Sequence, residues 1–508
     1  MSVDMSDRFG MEMGVQRYYD AMSGRWETVP VMIPYYHFDK FTLGLDVGGI
    51  IYEILRNAVF DKNYQSLRRE LTAENAMLVM IVSAYVAYLN EAQQNPIADL
   101  VGNLMTAKDD DKALPHQLAA KELTDQSLLT PNVKIEQILR QFYDSQDLDV
   151  VIASLIKLLS DTAHPWQCIQ ADFSQLQQQF LTAQAYAQQI TPLLYQKLHA
   201  LSIKNQWGDP LAISLLLKGI IGETHGLTLY DGASGVANSG FSLAPGKLIL
   251  REIHMMPALL SRLLLTMVES DAELKILDSL TAKEGSHQAD IGICLPSFGN
   301  EIQPFALTEI NYLQPLSVFH AIPSSASESL WIQLYLYHLN DKGRAYLILP
   351  IGWLFKGGYD LAVREALVHQ NLIESVTLLP LGILQYSQAN VCLVALNTAK
   401  TTDAFWLMTV ENIQVNLKHG GEIAEQSIAK IIDFIKNPTE NNDAVKVTQA
   451  QIAQYKYDLN PKRYFKDPLD IATLELTTEL TALADYQRQY EAAKVQLDKL
   501  LSSIAKQS

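Results

Sequence analysis

The 508-residue chain has only three cysteines, Cys168, Cys294 and Cys392, far apart and odd in number. That excludes a disulfide framework and a Cys-x-x-Cys metal site, and it fits a reducing cytoplasm. The longest apolar run, AMLVMIVSAYVAYL at 76–89, falls short of the ~20 residues that a membrane span requires, so it reads as a buried core helix. The N-terminus, MSVDMSDRFGMEMG, lacks the basic region and apolar stretch of a signal peptide. Positive charge is scarce: 39 Lys and Arg against 56 Asp and Glu leave a net charge of −17. This argues against a surface that binds nucleic acid throughout, but leaves room for a local basic groove or a basic partner. No GxxxxGK phosphate loop and no Ser-His-Asp pattern occurs. No second ligand accompanies His254 at a helical or hairpin spacing, so no metal site is expected.

What is present is an ordinary globular composition, 48% hydrophobic and 19% charged, with no low-complexity tract. Residues 1–44 form an aromatic N-terminal extension without clear periodicity. Residues 45–200 carry helical patterns, such as KIEQILRQFYD and a long candidate at 172–201. Near residue 200 the texture changes. From 201 to 436, short β-rich runs alternate with helical stretches, which implies a mostly parallel α/β sheet with helices on both faces. The last two runs, IESVTLLPLGIL and ANVCLVALNT, are close enough to be an antiparallel pair at one edge. Residues 437–470 read as a loop-rich linker segment. In the tail, 471–508, Leu476, Leu480, Leu483, Tyr490, Leu497, Leu501 and Ile504 form a heptad seam, interrupted by Gln487 and Lys494. Such a seam requires a second helix.

Doubly wound sheets bind ligands outside the carboxyl ends of their strands. The first run ends in YDGASGVANSG, where Asp231 precedes glycines 232, 235 and 240 in a turn that a nucleoside can approach. The second ends at Glu252, an acid placed to accept from ribose hydroxyls. The third ends in LDSL, with Asp278 in reach of an adenine amino group, and the fourth in CLPSFG. Taken singly, each has a plainer reading. Asp231 caps a turn, Glu252 is a solvated helix-start acid, Asp278 belongs to an Asp-Ser turn, and Phe298 is core. Lys462 and Arg463 in PKRY can touch phosphate or a partner, or form a solvated face.

As a set, these stretches resemble the modification subunits of type I restriction-modification systems, which are adenine-N6 DNA methyltransferases. The family's Tyr-Thr-Pro, Asp-Pro-x-x-Gly-x-Gly, acidic second strand, Asp-Ser-Leu and Asn-Pro-Pro-Phe correspond to WGDP, YDGASGVA, REIH, LDSL and CLPSFG. Downstream, LNDKGRAYLILPIGWLF through VCLVALNTAK resembles the family's later sheet region. VTQAQIAQYKYDLNPKRYF resembles its C-terminal segment, with Leu459, Arg463 and Tyr464 matching. The resemblance covers roughly residues 200–500. It implies a Rossmann-like S-adenosylmethionine-dependent methyltransferase core, an N-terminal helical domain and a C-terminal helical tail. It also implies S-adenosylmethionine at Asp231, Gly235, Glu252 and Asp278, and a flipped adenine at Pro296 and Phe298. DNA would be engaged within a complex, and the 471–508 helix would pack on a specificity-type subunit or a second methyltransferase-like chain.

Three departures fall in that pocket. Leu295 and Ser297 stand where the family has Asn and Pro, and Leu295 cannot accept a hydrogen bond from the target amine. Asp209 replaces a threonine near the cofactor's carboxylate, and Ala237 replaces a glycine. Three readings follow. One is a non-catalytic, methyltransferase-like subunit of a restriction-modification or related defence complex. Another is an active adenine-N6 methyltransferase with a variant loop. The third is a nucleoside-sensing or protein-binding module without a DNA role.

Overall fold

The computed structural model describes residues 11–20, 25–34, 62–68, 71–91, 131–141, 148–161, 166–178, 180–205, 207–302, 310–318, 321–385, 387–415, 425–465 and 483–495. The charged stretch TAKDDDKALPHQ at 106–117, which the sequence suggests is a surface loop, and most of the heptad tail lie outside these residues. Near the N-terminus, where the sequence has no clear pattern, β1 (Met11–Asp20) and β2 (Arg25–Pro34) pair antiparallel.

The N-terminal helices surround one apolar rod. Helix α2 (Ala73–Glu91) follows the short α1 (Lys62–Leu67), and every residue from Ala76 to Leu89 is buried. A helix apolar on all sides must be enclosed by others. Its enclosure comprises α4 (Leu148–Asp161), α5 (Trp166–Gln177) and α6 (Ala183–Asn205), with α3 (Pro131–Gln141) against α4. The long helix expected at 172–201 is therefore two, broken at 178–182, where the side chain of Thr182 accepts from the N–H of Ala185 and caps the second.

The chain then enters the sheet. In sequence follow α7 (Leu211–Ile221), β3 (Thr228–Asp231), α8 (Asn238–Leu243), β4 (Lys247–Glu252), α9 (Met255–Met267), β5 (Ala272–Ile276) and β6 (Ala289–Cys294). Next come α10 (Ser327–His338), β7 (Leu339–Pro350), α11 (Tyr359–His369), β8 (Ile373–Leu378), β9 (Val391–Asn397) and β10 (Ala404–Thr409). Helix α12 (Glu425–Lys436), β11 (Ala444–Thr448) and α13 (Gln449–Gln454) complete it. The strand order is β11-β10-β8-β9-β7-β6-β3-β4-β5, with β9 and β11 antiparallel to their neighbours and the rest parallel.

Residues alternate between two cores. Leu229, Leu248, Leu250, Ile293 and Ile348 face α7, α9 and the N-terminal helices, while Tyr230, Ile249, Leu347 and Leu349 face α10 and α11. The N-terminal helices dock on α9, where Arg262 pairs with Asp149 at 3.2 Å, and on α8, where the Phe241 ring stacks on Tyr195 at 4.5 Å.

Two sequence readings are corrected here. Strands β8 and β9 do pair antiparallel, but they are not at the edge, because β10 and β11 extend the sheet beyond them. AFWLMT is too short and uniformly apolar to declare itself a strand. The segment 437–470, read as loop-rich, supplies β11 and α13, and its Leu459 is fully buried and donates its N–H to the carbonyl of Leu354. The buried Arg364 guanidinium fixes this segment, donating to the carbonyls of Trp353, Lys356 and Tyr457. No helix among the described residues is long and apolar enough to cross a membrane.

Candidate functional site

The strand order reverses between β3 and β6: β4 and β5 lie on one side, β7 on the other. A crevice opens at such a switch point because the two connecting helices leave in opposite directions. Here it is a cavity of about 1010 Å³ at the carboxyl ends of β3 to β6. Its wall comprises Trp207 to Asp209 before α7, Gly232, Ala233 and Gly235 after β3, and Glu252 to Pro257 after β4. It also includes Leu277 to Leu280 after β5, Leu295 to Phe298 and Asn300 to Ile302 after β6, Trp331 from α10, Leu139 from α3 and Ser387.

The turn after β3 is held tightly. Gly235 has φ 53, and a Cβ there would stand 2.1 Å from the backbone oxygen of Trp207, so only glycine fits. The next residue, Val236, donates its N–H to that same oxygen at 2.6 Å. Gly235 donates to Glu252 Oε2 at 2.7 Å, and His254 donates its N–H to Oε1 at 2.8 Å. The carboxylate of Glu252 thus joins the β3 and β4 turns, and each oxygen keeps a lone pair for a ligand hydroxyl. Asp278 accepts from the N–H of Leu280 at 3.0 Å and from the hydroxyl of Thr281 at 2.9 Å. Both the cavity-wall role and the plain turn role of Asp278 are therefore present together.

The structure brings Asp209, Gly235, Glu252, Asp278, Leu295, Pro296, Ser297 and Phe298 to one cavity, although they span 90 residues of chain. Two other candidates stand back from it. Asp231 is buried beneath the turn and accepts from the N–H of Ala233. Ala237 is buried at the start of α8 with φ 57, and its methyl packs in the core. Gly232, which replaces a proline of the resembled pattern, is crowded: a Cβ there would lie 2.9 Å from the Tyr230 hydroxyl.

The electrostatics are one-sided. Burial raises the Asp209 carboxyl to about 6, against the hydrogen bond from Ser239 that lowers it. Burial also holds Asp231 well above the usual carboxylate range, helped by the charges of Asp209 and Glu252. Glu252 is raised by burial, which the N–H groups of His254 and Gly235 partly offset. Cys294, at the end of β6, is buried with its thiol pushed up by the same cause, which leaves it a poor nucleophile.

After β6, Leu295 and Phe298 are half-buried and pack on the core, Pro296 is buried and Ser297 is exposed. Asn300 and Glu301 stand on the rim. Two residues the sequence reading missed come from α10. Trp331 lines the cavity, and its buried indole N–H has no acceptor among the described residues. Tyr335 accepts from the N–H of Gly232 at 2.8 Å and donates to the carbonyl of Ile293, joining β3 to β6 across the switch point. No local motif could reveal either, because α10 is apolar almost all round. Of the basic candidates, Lys462 pairs with Glu411 at 2.7 Å and Arg463 with Asp458.

Comparison with known proteins agrees with this geometry. Residues 247–469 match the N-6 DNA Methylase family model. The type I restriction enzyme MpnII methylase subunit of Mycoplasma pneumoniae is 28% identical over 159 residues, 30% of this chain and 29% of that protein. The MjaVIII methylase subunit of Methanocaldococcus jannaschii is 23% identical over 229 residues, 43% of this chain and 39% of that protein. The chain thus matches well under half the length of these curated relatives. In fold, the methyltransferase subunit of a type I system from Streptococcus thermophilus superposes with TM-score 0.59 at 16% identity, covering 82% of this chain and all of that one. A modification subunit of a putative type I restriction enzyme from Vibrio vulnificus gives 0.54 at 16% identity, covering 83% and 98%. By family sequence over residues 247–469 and by fold over most of its length, the chain resembles the modification subunits of type I restriction-modification systems.

Proposed function

We propose that the chain serves as a methyltransferase-like subunit of a DNA restriction-modification or related defence complex, with its nucleoside pocket kept and methyl transfer lost. The observation that carries this is Leu295 on the cavity wall, packed on the core at the position where the family has asparagine. Attack by an exocyclic amine needs acceptors that orient its two protons and aim its lone pair at the methyl. Leu295 offers no side-chain acceptor. Losing one such contact costs about 3 kcal/mol, or roughly 100- to 1000-fold in rate. S-adenosylmethionine, when bound, supplies an electrophilic methyl group. Toward it, Glu252 presents free lone pairs for hydroxyls and Asp278 an acceptor for an amino group. The turn at Gly235 lets the backbone approach, and the ring of Phe298 offers a stacking face beside Pro296.

The partner reading rests on residues 483–495, a helix exposed along its length. Leu483, Tyr486, Tyr490 and Val495 stand in solvent, at 60%, 70%, 66% and 51% exposure. Leu483 and Tyr490 of this group belong to the heptad seam, and a seam so open suits a helix of a specificity-type subunit or of a second methyltransferase-like chain. DNA contact then belongs to the assembled complex.

The test is methyl transfer to DNA by the full chain together with its natural partners. No transfer is expected from the wild type, and Leu295→Asn should raise transfer from nothing. Methylation by the wild type would overturn the proposal and favour the active reading, an adenine-N6 methyltransferase with a variant loop.

A further inference from the structure

The charge of the cavity wall bears on which nucleoside it selects. Four carboxylates line it, from Asp209, Glu252, Asp278 and Glu301, and among the described residues no lysine or arginine does. Asp231 lies just beneath the first turn. Among the described residues, no lysine or arginine pairs with Asp209, Asp231 or Glu252. A phosphate or carboxylate entering here meets four carboxylates with no lysine or arginine among the described lining residues to offset them. A neutral or cationic group meets acceptors. Trp331 stands on the same wall at 7% exposure, and its buried indole N–H has no acceptor among the described residues.

Strand order gives the ligand a direction. The acid at the end of the second strand of such a sheet binds ribose hydroxyls, and here that acid is Glu252. Asp278, one strand further out on β5, lies on the side of the base. The 5′ substituent then runs the other way, over the β3 turn toward the Trp207–Asp209 segment. That segment contacts the turn directly, through the N–H of Val236 donating to Trp207 and through the side chain of Asn238, which accepts from the N–H of Asp209 at 2.9 Å. The tail of the ligand therefore ends at Asp209.

We propose that the cavity prefers an adenosine sulfonium whose tail is an amine without a carboxylate, and that Asp209 sets this preference. The inference rests on the nucleoside reading of the pocket. Both tails carry an ammonium that can pair with Asp209, but the amino-acid tail adds a carboxylate against a like charge. Removing one like charge at contact range in a partly buried site changes affinity by about tenfold.

The experiment is calorimetric titration of the full chain at pH 8, where Asp209 is ionised. The probes are S-adenosylmethionine and its decarboxylated analogue. Wild type should bind the decarboxylated compound at least about tenfold more tightly. In Asp209→Thr and in the isosteric Asp209→Asn, the ratio should fall to within about threefold, mainly through tighter binding of S-adenosylmethionine. Equal or tighter binding of S-adenosylmethionine by wild type overturns the inference and leaves the nucleoside reading standing. A ratio unchanged in both variants also overturns it. Failure of both probes to bind wild type overturns the inference and the nucleoside reading together.

Discussion

Replacing Tyr335 by phenylalanine removes one oxygen atom from the middle of the fold. The hydroxyl is fully buried, accepts from the N–H of Gly232 and donates to the carbonyl of Ile293. Burial and the nearby acids push its ionisation far above the ordinary tyrosine value, so it remains a neutral donor at any working pH. In Tyr335→Phe both backbone groups stay buried and lose their partner. An unsatisfied buried donor or acceptor costs about 1–3 kcal/mol, so the pair costs about 2–6 kcal/mol. The small cavity left behind adds to this. The loss should appear first at the switch point, since Gly232 opens the turn that lines the cavity. Two measurements check this: the urea midpoint of the full chain, and hydrogen exchange at the Gly232 amide. The midpoint should fall, and protection of Gly232 should fall further than that of amides in β8 and β9. A change under about 0.5 kcal/mol with unchanged Gly232 protection would show that the hydroxyl does not join the two strands, because that is the range of an ordinary surface substitution.

Two further outcomes follow from other parts of the molecule. Arg251 on β4 is 0% exposed and pairs with Glu273 at 2.8 Å and Glu284 at 2.7 Å. Arg251→Met leaves Glu284 without its main partner and should cost about 3–5 kcal/mol, read from urea unfolding. Burial alone would raise Glu284, but hydrogen bonds from His287 and Arg251, and the charge of Arg251, hold it well below its ordinary 4.5. A carboxylate depressed in this way adds stability above about pH 4.5 that is lost as pH falls further. The wild-type urea midpoint should therefore drop below pH 4.5, and the Arg251→Met variant should show a smaller drop over the same range. Truncation after residue 470 should abolish complex formation with the natural partner in gel filtration while leaving the melting temperature of the chain nearly unchanged, because residues 483–495 bury nothing in the monomer. An intact complex would remove the tail from the interface.

Much of this protein is legible in one dimension. The alternation of short apolar runs with helical stretches from residue 200 onward fixes a mostly parallel sheet, because period-2 and period-3.6 patterns bury different faces. The uniformly apolar 76–89 run announces an enclosed helix, and the acid or loop at each strand end marks where a ligand would sit. Glu252, Asp278 and Leu295 are readable as candidates in that way, Asp209 through the family resemblance, and the cavity unites them. Other features depended on contacts between distant segments. The 172–201 pattern has no glycine, and its break at 178–182 arises where the chain turns to enclose α2. The strands β10 and β11 acquire their identity from the pairing partner each meets. Ala237 is a wall residue by its place in the motif, yet its left-handed φ turns the methyl into the core. Trp331 and Tyr335 reach the site only because α10 crosses the switch point. Local pattern is set by which face of an element must be buried, so the sequence alone determined the elements and the strand-end acids. Which buried polar groups meet across the sheet depends on strand order and helix placement, and only the tertiary structure decided that.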